Sequence, residues 1–561
     1  MRRLVVAVPK TLWLIVALQT FVLICATIVY PAFQEADEAQ HIDYVLAHRH
    51  GDWLTDPGKR WPQIGVLDAY GSEPNIATGQ HLGDRAAVPR THRPSFDHIS
   101  TKLAPTASVP NQMTQHPFGY YGLAAGWSYL LPGFEGRGWD VQVFWLRLLS
   151  VLLMIPVPLL IYFSARRLTR HHAVALVATI LPAAVPSYLR IGASVTNDVL
   201  LTLLGALMMY ELSKVISGDL RRSTALRVGL WWALALLTKG IALIMPPVII
   251  LAYLVAANGS LRNRVRTAVL PCLTAGLTGF VLGGWWYVRN LVDFGAVQPK
   301  GKGPEWTVQR IYGVDHSGTN TSFVTGFFSR LGVRFFGSLG IIERPGWPND
   351  LLVAFFAAML ALVVVGIVVG IRRASAPRWA AVALLSPSVI CLASIMVKIR
   401  HTYLISHVFP GIQVRYLLGF IGGLTIVLAV ALFVLLRRIA RWLAATVFAL
   451  VGLFEAANVL LLLAQQYGTT SGSVTHRIGK GIDYLIDWAP FAAGVTWTFV
   501  GLATATAIAT FVVLLRSSES APALAGYADA TSVPRVDQAS AIRPSSADEA
   551  SQSADGNTRT V

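Results

Sequence analysis

Twelve apolar runs divide this sequence, and they limit its fold more than any other feature. Most hold about twenty residues, the length that crosses a bilayer as a helix. Because backbone groups inside lipid must be paired within the chain, the runs predict an all-α polytopic membrane protein with about 12 transmembrane helices. Only 13% of residues are charged, against about 25% in a soluble protein. The runs are 11–30, 143–165, 172–189, 198–216, 228–238, 241–256, 267–288, 350–371, 378–396, 417–436, 442–464 and 490–515.

The stretch 228–256, which is counted above as two runs, is ambiguous. It reads either as one long helix or as two short helices broken at Thr238, Lys239 and Gly240. We favour two helices, because glycine is a poor helix former and a lysine in mid-membrane is costly. With this break, the short Arg-rich connections all fall on the cytoplasmic side, as the positive-inside rule expects, and both termini are cytoplasmic.

This topology predicts six segments, which alternate between membrane and water. They are an N-terminal anchor helix (1–30), a first extracytoplasmic loop with surface helices (31–142), a transmembrane core (143–288), a second long extracytoplasmic loop (289–349), a C-terminal transmembrane module (350–516) and a cytoplasmic tail (517–561). The tail is rich in Ser, Ala and Asp and has few large apolar residues, so we expect it to be disordered.

Composition excludes several classes of function. The net charge of +17 is typical of Arg-rich inner loops and does not require a nucleic-acid partner. The three cysteines lie far apart inside apolar runs, which argues against a disulfide framework or a cysteine metal cluster. The chain has no GxxxxGK[ST] loop for a nucleotide. No cofactor is predicted with certainty, and a divalent metal stays possible.

The first outer loop opens with the polar stretch PAFQEADEAQHIDYV, residues 31–45. Apolar residues at helical spacing predict a helix from about Asp37 to His50, lying along the outer membrane surface. Two interpretations of Asp37 are open. It caps this helix in a capping box with Gln40, or it is a general base that takes a proton from an acceptor hydroxyl. His41 lies one turn further on the same face, where it could orient a phosphate or tune the carboxylate.

Further motifs follow along the chain, and their order carries more information than any one of them. They are HPFGYY at 116–121, TND at 196–198, LLTKG at 236–240, GGWWYVRN at 283–290 and GIQVRYLLGF at 411–420. With the DE pair at 37–38, they make the chain resemble the GT-C superfamily of membrane glycosyltransferases over about 31–440. DEAQH is similar to the D-E-x-x-H element of a bacterial membrane protein family of unknown function. HPFGYY departs from relatives in lacking a second proline.

The resemblance implies a GT-C-like transmembrane core and a set of site residues. It implies catalytic roles for Asp37, Glu38 and Asp198. It implies substrate binding by His41, His116, Tyr120, Tyr121, Asn197, Lys239, Arg289, Arg415 and Tyr416.

Each of these residues also has a structural alternative. Glu38 would favour the helix dipole, Asp198 would cap a helix, and Lys239 would snorkel to the interface. Arg289 would bind lipid headgroups, and Arg415 would pair with a carboxylate to hold two helices together. Tyr120 and Tyr121 would belong to an interfacial aromatic belt.

The function implied by the resemblance is inverting sugar transfer. The donor would be a polyprenyl-phosphate-linked sugar, and the acceptor an envelope glycan, lipid or protein. The enzyme would be a multi-pass protein of the plasma membrane with an extracytoplasmic active site. Two alternatives stay open: a transporter or flippase for a lipid-linked sugar, and a non-catalytic scaffold for envelope assembly.

Overall fold

The computed structural model describes residues 8–35, 37–72, 82–84, 86–105, 110–299, 319–339, 346–372, 379–409 and 411–519. Within these ranges the chain is helical and forms no β-strand, which confirms the predicted all-α class. The helices are α1 (Lys10–Val29), α2 (Glu38–Arg49), α3 (Ile64–Ser72), α4 (Phe96–Ile99), α5 (Gly119–Tyr129), α6 (Trp139–Met154), α7 (Val157–Thr169), α8 (His172–Ile180), α9 (Pro186–Gly192), α10 (Asn197–Ile216), α11 (Arg222–Leu236), α12 (Met245–Ala256), α13 (Leu261–Gly279), α14 (Trp285–Phe294), α15 (Asn320–Gly337), α16 (Asn349–Arg372), α17 (Ala380–Ser406), α18 (Arg415–Leu418), α19 (Ile421–Leu435), α20 (Leu443–Leu462), α21 (Val474–Trp488) and α22 (Ala493–Glu519).

Eight helical segments in the described part of the chain are long and apolar enough to cross a membrane. A ninth is possible if the bent pair of helices over 172–192 counts as one span, since the two meet at 78°. The remaining predicted runs form shorter helices, so the predicted count of twelve is not confirmed. The eight segments are Lys10–Val29, Trp139–Thr169, Asn197–Ile216, Leu261–Phe294, Asn349–Arg372, Ala380–Ser406, Leu443–Tyr467 and Ala493–Arg516.

The predicted break near residue 239 is present. Helix α11 ends at Leu236, Lys239 has an extended backbone, and a 3-10 turn over Gly240–Ile244 leads into α12. The chain therefore leaves helical geometry where the lysine occurs, and its ammonium group is free to approach other elements.

The described residues of the first loop, 31–142, form a small helical body at one end of the spans. Its centre is α2, most of whose residues are buried, including Ile42, Tyr44 and Val45. Helix α5 packs against α2, and α6 carries this apolar core into the membrane part. Other described parts of the loop cover α2, so most of its side chains contact protein, and its placement along the membrane surface stays a prediction.

Helix α21, from the predicted outer segment 465–489, closes over the same loop. The Arg93 guanidinium pairs with Asp140 at 2.6 Å and donates to the Trp488 carbonyl at 2.7 Å. Arg90 donates to the Ala489 carbonyl at 2.8 Å. Arginines of the first loop therefore hold the C-terminal end of α21 in place.

Candidate functional site

Asp37 begins α2 in an unusual backbone conformation. Its φ of 67° and ψ of 11° are left-handed, which is uncommon for any residue except glycine, although aspartate tolerates it better than most. Its side chain makes no capping hydrogen bond, so neither the capping interpretation nor the capping box with Gln40 is correct. Instead Oδ2 accepts from Arg415 Nη2 at 2.8 Å, while 38% of the side chain stays exposed.

Asp198 lies in the first turn of α10, across from Asp37. The cap of that helix is Thr196, whose hydroxyl accepts from the Asp198 backbone N–H at 3.3 Å, so Asp198 is not the cap itself. Its carboxylate is almost fully buried. Oδ1 lies 2.6 Å from Lys239 Nζ, and Oδ2 lies 3.6 Å from Arg415 Nε.

Two cations therefore share one buried carboxylate. Lys239 is buried on Asp198, which excludes the alternative that its ammonium snorkels to the interface. Arg415 bridges Asp198 and Asp37, and the Tyr416 ring lies beside both cations, 5.2 Å from Lys239 Nζ and 5.5 Å from the Arg415 guanidinium carbon. Such ring faces attract cations. The four charged side chains sum to zero, so a bound anion would compete with the carboxylates for the cations.

A neutral hydrogen-bonded network borders this charged cluster. His41 Nδ1 lies 3.0 Å from the Tyr121 hydroxyl and Nε2 lies 3.4 Å from the Thr196 hydroxyl. Burial, followed by the positive charges of Lys239 and Arg415, holds the pKa of His41 well below its usual range. His41 is therefore uncharged near neutral pH. Its contacts reach the cluster through Thr196.

Two other predicted residues complete this border. Asn197 Nδ2 donates to the Tyr121 hydroxyl at 3.5 Å and to the Thr238 carbonyl at 3.4 Å. Burial and the nearby Lys239 ammonium lower the pKa of His116 to about 3, so it too is uncharged near neutral pH. The network therefore presents hydroxyl, amide and neutral imidazole groups, which suit the hydroxyls of a sugar.

Glu38 is placed differently from Asp37, although the two are adjacent. Oε1 accepts from Arg147 Nε at 2.8 Å and from the Val195 N–H at 2.9 Å. Oε2 accepts from Arg147 Nη2 at 2.6 Å and from the Phe33 N–H at 2.9 Å. Because the side chain is fully buried and both oxygens are occupied, we interpret Glu38 as a positioning residue, in place of the predicted catalytic role.

Arg289 and Tyr120 lie outside the charged cluster. Arg289 Nε is 3.2 Å from Asp293 Oδ2, Nη2 is 3.9 Å from Asp56 Oδ1, and its guanidinium stacks near Trp286. These contacts do not join it to the two cations on Asp198. Tyr120 is fully buried beside Tyr121, 5.5 Å between ring centroids, so neither tyrosine forms an exposed interfacial belt.

Several residues of the site region were not predicted. Thr196 joins the neutral network to Asp198, and its position before Asn-Asp at a helix start was a readable signal. The buried pair Glu35–Arg190, with 2.7 Å between Oε2 and Nη1, had no local signal because its members are far apart in sequence. Among the described residues, no group of three or more His, Cys, Asp or Glu could hold a metal ion.

Comparison with known proteins gives one family match. The sequence profile of the dolichyl-phosphate-mannose-protein mannosyltransferases matches residues 139–286. No curated protein matches the chain in sequence.

Solved structures show a weaker likeness. One is ArnT from Cupriavidus metallidurans bound to undecaprenyl phosphate, with 15% identity and a TM-score of 0.41, covering 91% of this chain and 78% of that one. Another is the oligosaccharyltransferase AglB from Archaeoglobus fulgidus in complex with an inhibitory peptide and a dolichol-phosphate, with 12% identity and a TM-score of 0.37, covering 90% and 56%. At these scores we draw no residue roles from them.

The family match begins at the first residue of α6 and ends in α14, and it includes Asp198 of α10 and Lys239 in the break after α11. The motifs in the sequence point to the same kind of enzyme. Together, the motifs and the family match over residues 139–286 make this chain similar to the membrane glycosyltransferases of the GT-C type.

Proposed function

We propose that this enzyme transfers a sugar from a polyprenyl-phosphate donor to a hydroxyl of a cell-envelope acceptor, on the extracytoplasmic side of the plasma membrane. The observation that carries the proposal is the pair of cations, Lys239 and Arg415, held on one buried carboxylate next to the partly exposed Asp37. A donor of this kind has a lipid tail, an anionic phosphate and a sugar, and the cluster offers a binding partner for the phosphate.

Preorganised charge is the first contribution of this site. Positive groups fixed in place before the reaction stabilise negative charge as it develops on the leaving phosphate, without reorganising in the transition state. Asp198 holds both cations, since its two oxygens face Lys239 and Arg415. We therefore assign Asp198 to positioning these cations and to shaping the site, and the phosphate contacts to Lys239, Arg415 and the adjacent Tyr416.

Asp37 is the general base in this proposal. In the structure its carboxylate accepts from Arg415. When the donor phosphate binds Arg415, it competes for that guanidinium and frees Asp37 for the acceptor. Donor binding thus prepares the base, which favours an order in which the donor binds first.

The chemical step follows from these assignments. The acceptor oxygen attacks C1 of the sugar from the face opposite the phosphate, and its proton passes to Asp37. The C1–O bond to the phosphate breaks, and its electron pair leaves with the polyprenyl phosphate. One displacement inverts the configuration at C1. Positioned proton transfer of this kind contributes roughly 10²–10⁴-fold.

The test is Asp37→Asn in the purified full-length enzyme, assayed for glycosylated product. The donor is first identified as the lipid-linked sugar that accumulates in cells lacking the protein. We expect turnover to fall by about 10²–10⁴-fold while donor affinity and thermal stability hold. Glu135→Gln is the matched control, because Glu135 is an exposed carboxylate of the same loop, and it should keep full activity.

An active Asp37→Asn enzyme would end this assignment of the base. A wild-type protein that moves the lipid-linked sugar across vesicles without forming a glycosylated product would instead support the transporter alternative.

A further inference from the structure

An apolar cavity of about 420 Å³ lies among the membrane helices, apart from the charged cluster. Helices α15, α16, α19 and α20 and the turn after α8 surround it. Its volume falls in the range of roughly 300–1,000 Å³ that is typical of small-molecule sites. Its walls include Phe335, Phe336, Phe355, Met359, Leu428 and Phe454, and the hydroxyl of Thr425 is the one polar side-chain group among its described lining residues.

The cavity is reachable from the bilayer. Two lining residues, Phe355 and Leu450, are 43% and 62% exposed on the outside of the helical bundle. In a membrane-spanning protein that outside surface faces lipid. An apolar chain could therefore enter sideways without crossing water.

Next to the lining residues, α20 carries two polar side chains that the proposed reaction does not use. Val451 and Phe454 line the cavity, and Glu455 and Asn458 follow at spacings of four and seven residues from Val451, which places all four on one face of α20. Asn458 donates to Glu455 Oε1 at 3.1 Å and accepts from Trp347 Nε1 at 2.8 Å. The Trp347 ring also stacks on Phe454, with centroids 5.9 Å apart.

This polar end of α20 faces the side of the molecule that carries the first loop. Beyond Asn458, the segment from α20 continues to Tyr467 and Thr470, and Thr470 contacts Asp84 of that loop. Leu450 and Val451 come earlier in the helix and line the deeper part. An amphiphile bound in this cavity would therefore have its head toward the first loop and its chain in the membrane.

The charges near this end disfavour a phosphate. Glu455 is a carboxylate in a membrane-spanning segment, and such groups are uncommon without a function. Two described arginines near α15 already have partners: Arg334 donates to the Ile412 carbonyl, and Arg190, which donates to Ser338 at 3.3 Å, is paired with Glu35 at 2.7 Å. A phosphate would meet an acidic side chain and arginines that are already bonded to other groups, whereas a hydroxyl can donate to Glu455.

We propose that this cavity binds the apolar chain of a phosphate-free lipid whose hydroxylated head donates a hydrogen bond to Glu455. The assignment of this lipid rests on the proposed function: it is the acceptor, and it is separate from the donor that Lys239 and Arg415 bind. The placement suits that role, because Arg190, which contacts Ser338 just after α15, pairs with Glu35, two residues before Asp37 in the sequence.

The experiment uses two photoactivatable lipids with the same diazirine-bearing acyl chain, a monoacylglycerol and a lysophosphatidic acid. Each is crosslinked to the purified full-length protein, and the labelled peptides are mapped by mass spectrometry. We expect the monoacylglycerol to label α16 and α20 around Met359 and Phe454 several-fold more than the lysophosphatidic acid does. Equal labelling by the two probes, or no labelling at these helices, would overturn the proposal.

Two variants test whether the labelling depends on the cavity and on Glu455. Met359→Trp fills the cavity and should abolish the labelling, and Glu455→Leu should remove the preference for the hydroxylated head. Ile250→Trp is the matched control, because Ile250 lines a different apolar groove between α12 and α13 and should leave labelling unchanged. Thermal stability is measured for each variant.

The labelling result is independent of turnover, so the two proposals fail separately. If the wild-type protein is labelled as expected but forms no glycosylated product, the cavity remains a lipid site and the proposed transfer is wrong. If transfer occurs while both probes label these helices equally or not at all, the transfer stands and the proposed acceptor site is wrong.

Discussion

Adjacent residues at the start of α2 have opposite environments. The left-handed backbone at Asp37 leaves its carboxylate partly exposed on Arg415, while Glu38 is fully buried on Arg147. Strained conformations of this kind persist when the surroundings fix them, and they concentrate at functional sites. Here four hydrogen bonds to Glu38 fix the residue that follows, and Asp37 keeps the freedom that a base requires.

At this scale we predict that Lys239 and Arg415 bind the donor and that Arg289 does not. Lys239→Gln and Arg415→Gln should each weaken donor affinity, measured by competition with the polyprenyl phosphate, while Arg289→Gln should keep it. Removing one cation also leaves Asp198 buried with less compensation, which costs about 3–5 kcal/mol for a fully buried pair. Lys239→Gln combined with Asp198→Asn should therefore recover stability without recovering affinity. Normal affinity in both single variants would refute this role.

The buried histidines predict how stability depends on pH. The pKa of His116 is about 3 in the folded protein, below the ordinary value of 6.5, and the pKa of His41 is lowered too. The unfolded chain therefore binds protons that the native state does not, and stability falls as pH drops below about 7. We expect Tm to decrease between pH 7.5 and 5.5, and His116→Asn to reduce that decrease. His98→Asn, an exposed control, should not change it.

Helix contacts set the geometry of the charged cluster. A Cβ atom added at Gly205 of α10 would lie 1.8 Å from the carbonyl oxygen of Gly419, just after α18. This close approach holds the helix that carries Asp198 against the helix that carries Arg415. The small residue is required because any side chain would push the two elements apart.

We therefore predict that Gly205→Ala lowers both activity and stability. Overpacking of a tight contact costs roughly 1–3 kcal/mol, and the displacement would separate Arg415 from Asp198. Gly452→Ala is the control within a spanning helix, because a Cβ there meets nothing within 4 Å, and it should be neutral or slightly stabilising. Thermal unfolding and turnover are measured for both variants. Equal Tm and equal turnover in the two would show that the contact at Gly205 is not required.

For the whole molecule, the testable feature is orientation. The short Arg-rich connections predict that residues 31–142 are outside the cell and that the connection after α16 is inside. A reporter that is active only outside should therefore work when inserted at Gly83 and fail at Ser375, which lies outside the described residues. The opposite pattern would place Asp37 in the cytoplasm and remove the proposed reaction from the extracytoplasmic side.

The features of the fold and of the site that could be predicted from the sequence are those that depend on residues close together in the chain. Apolar runs predicted the helical class, and Lys239 with its glycine predicted the break after α11, because both signals are local. The motifs also named Asp37, Asp198 and Arg415, which the structure brings together. The sequence also grouped Arg289 with these cations, since arginines near span ends look alike in sequence, whereas its described contacts are with Asp56, Asp293 and Trp286.

The features that the sequence did not predict depend on ion pairs between residues far apart in the chain. Glu38 was interpreted as catalytic because its partner Arg147 is 109 positions away, and burial of both side chains is invisible to a local pattern. The count of spans is not confirmed for a related reason. Whether an apolar stretch such as 172–192 crosses, bends or stops depends on what packs against it, and here two helices meet at 78°.

Arg147 has a consequence for the order in which the protein matures. Its guanidinium donates to the carbonyls of Thr27, Tyr30 and Pro31 at the end of α1 as well as to Glu38. During synthesis the ribosome makes residues 27–38 more than a hundred codons before Arg147. Until α6 enters the membrane, the end of α1 lacks its partner and Glu38 has no buried counter-ion. The start of α2, and with it the base at residue 37, can therefore reach its final shape only after the second spanning segment has been inserted.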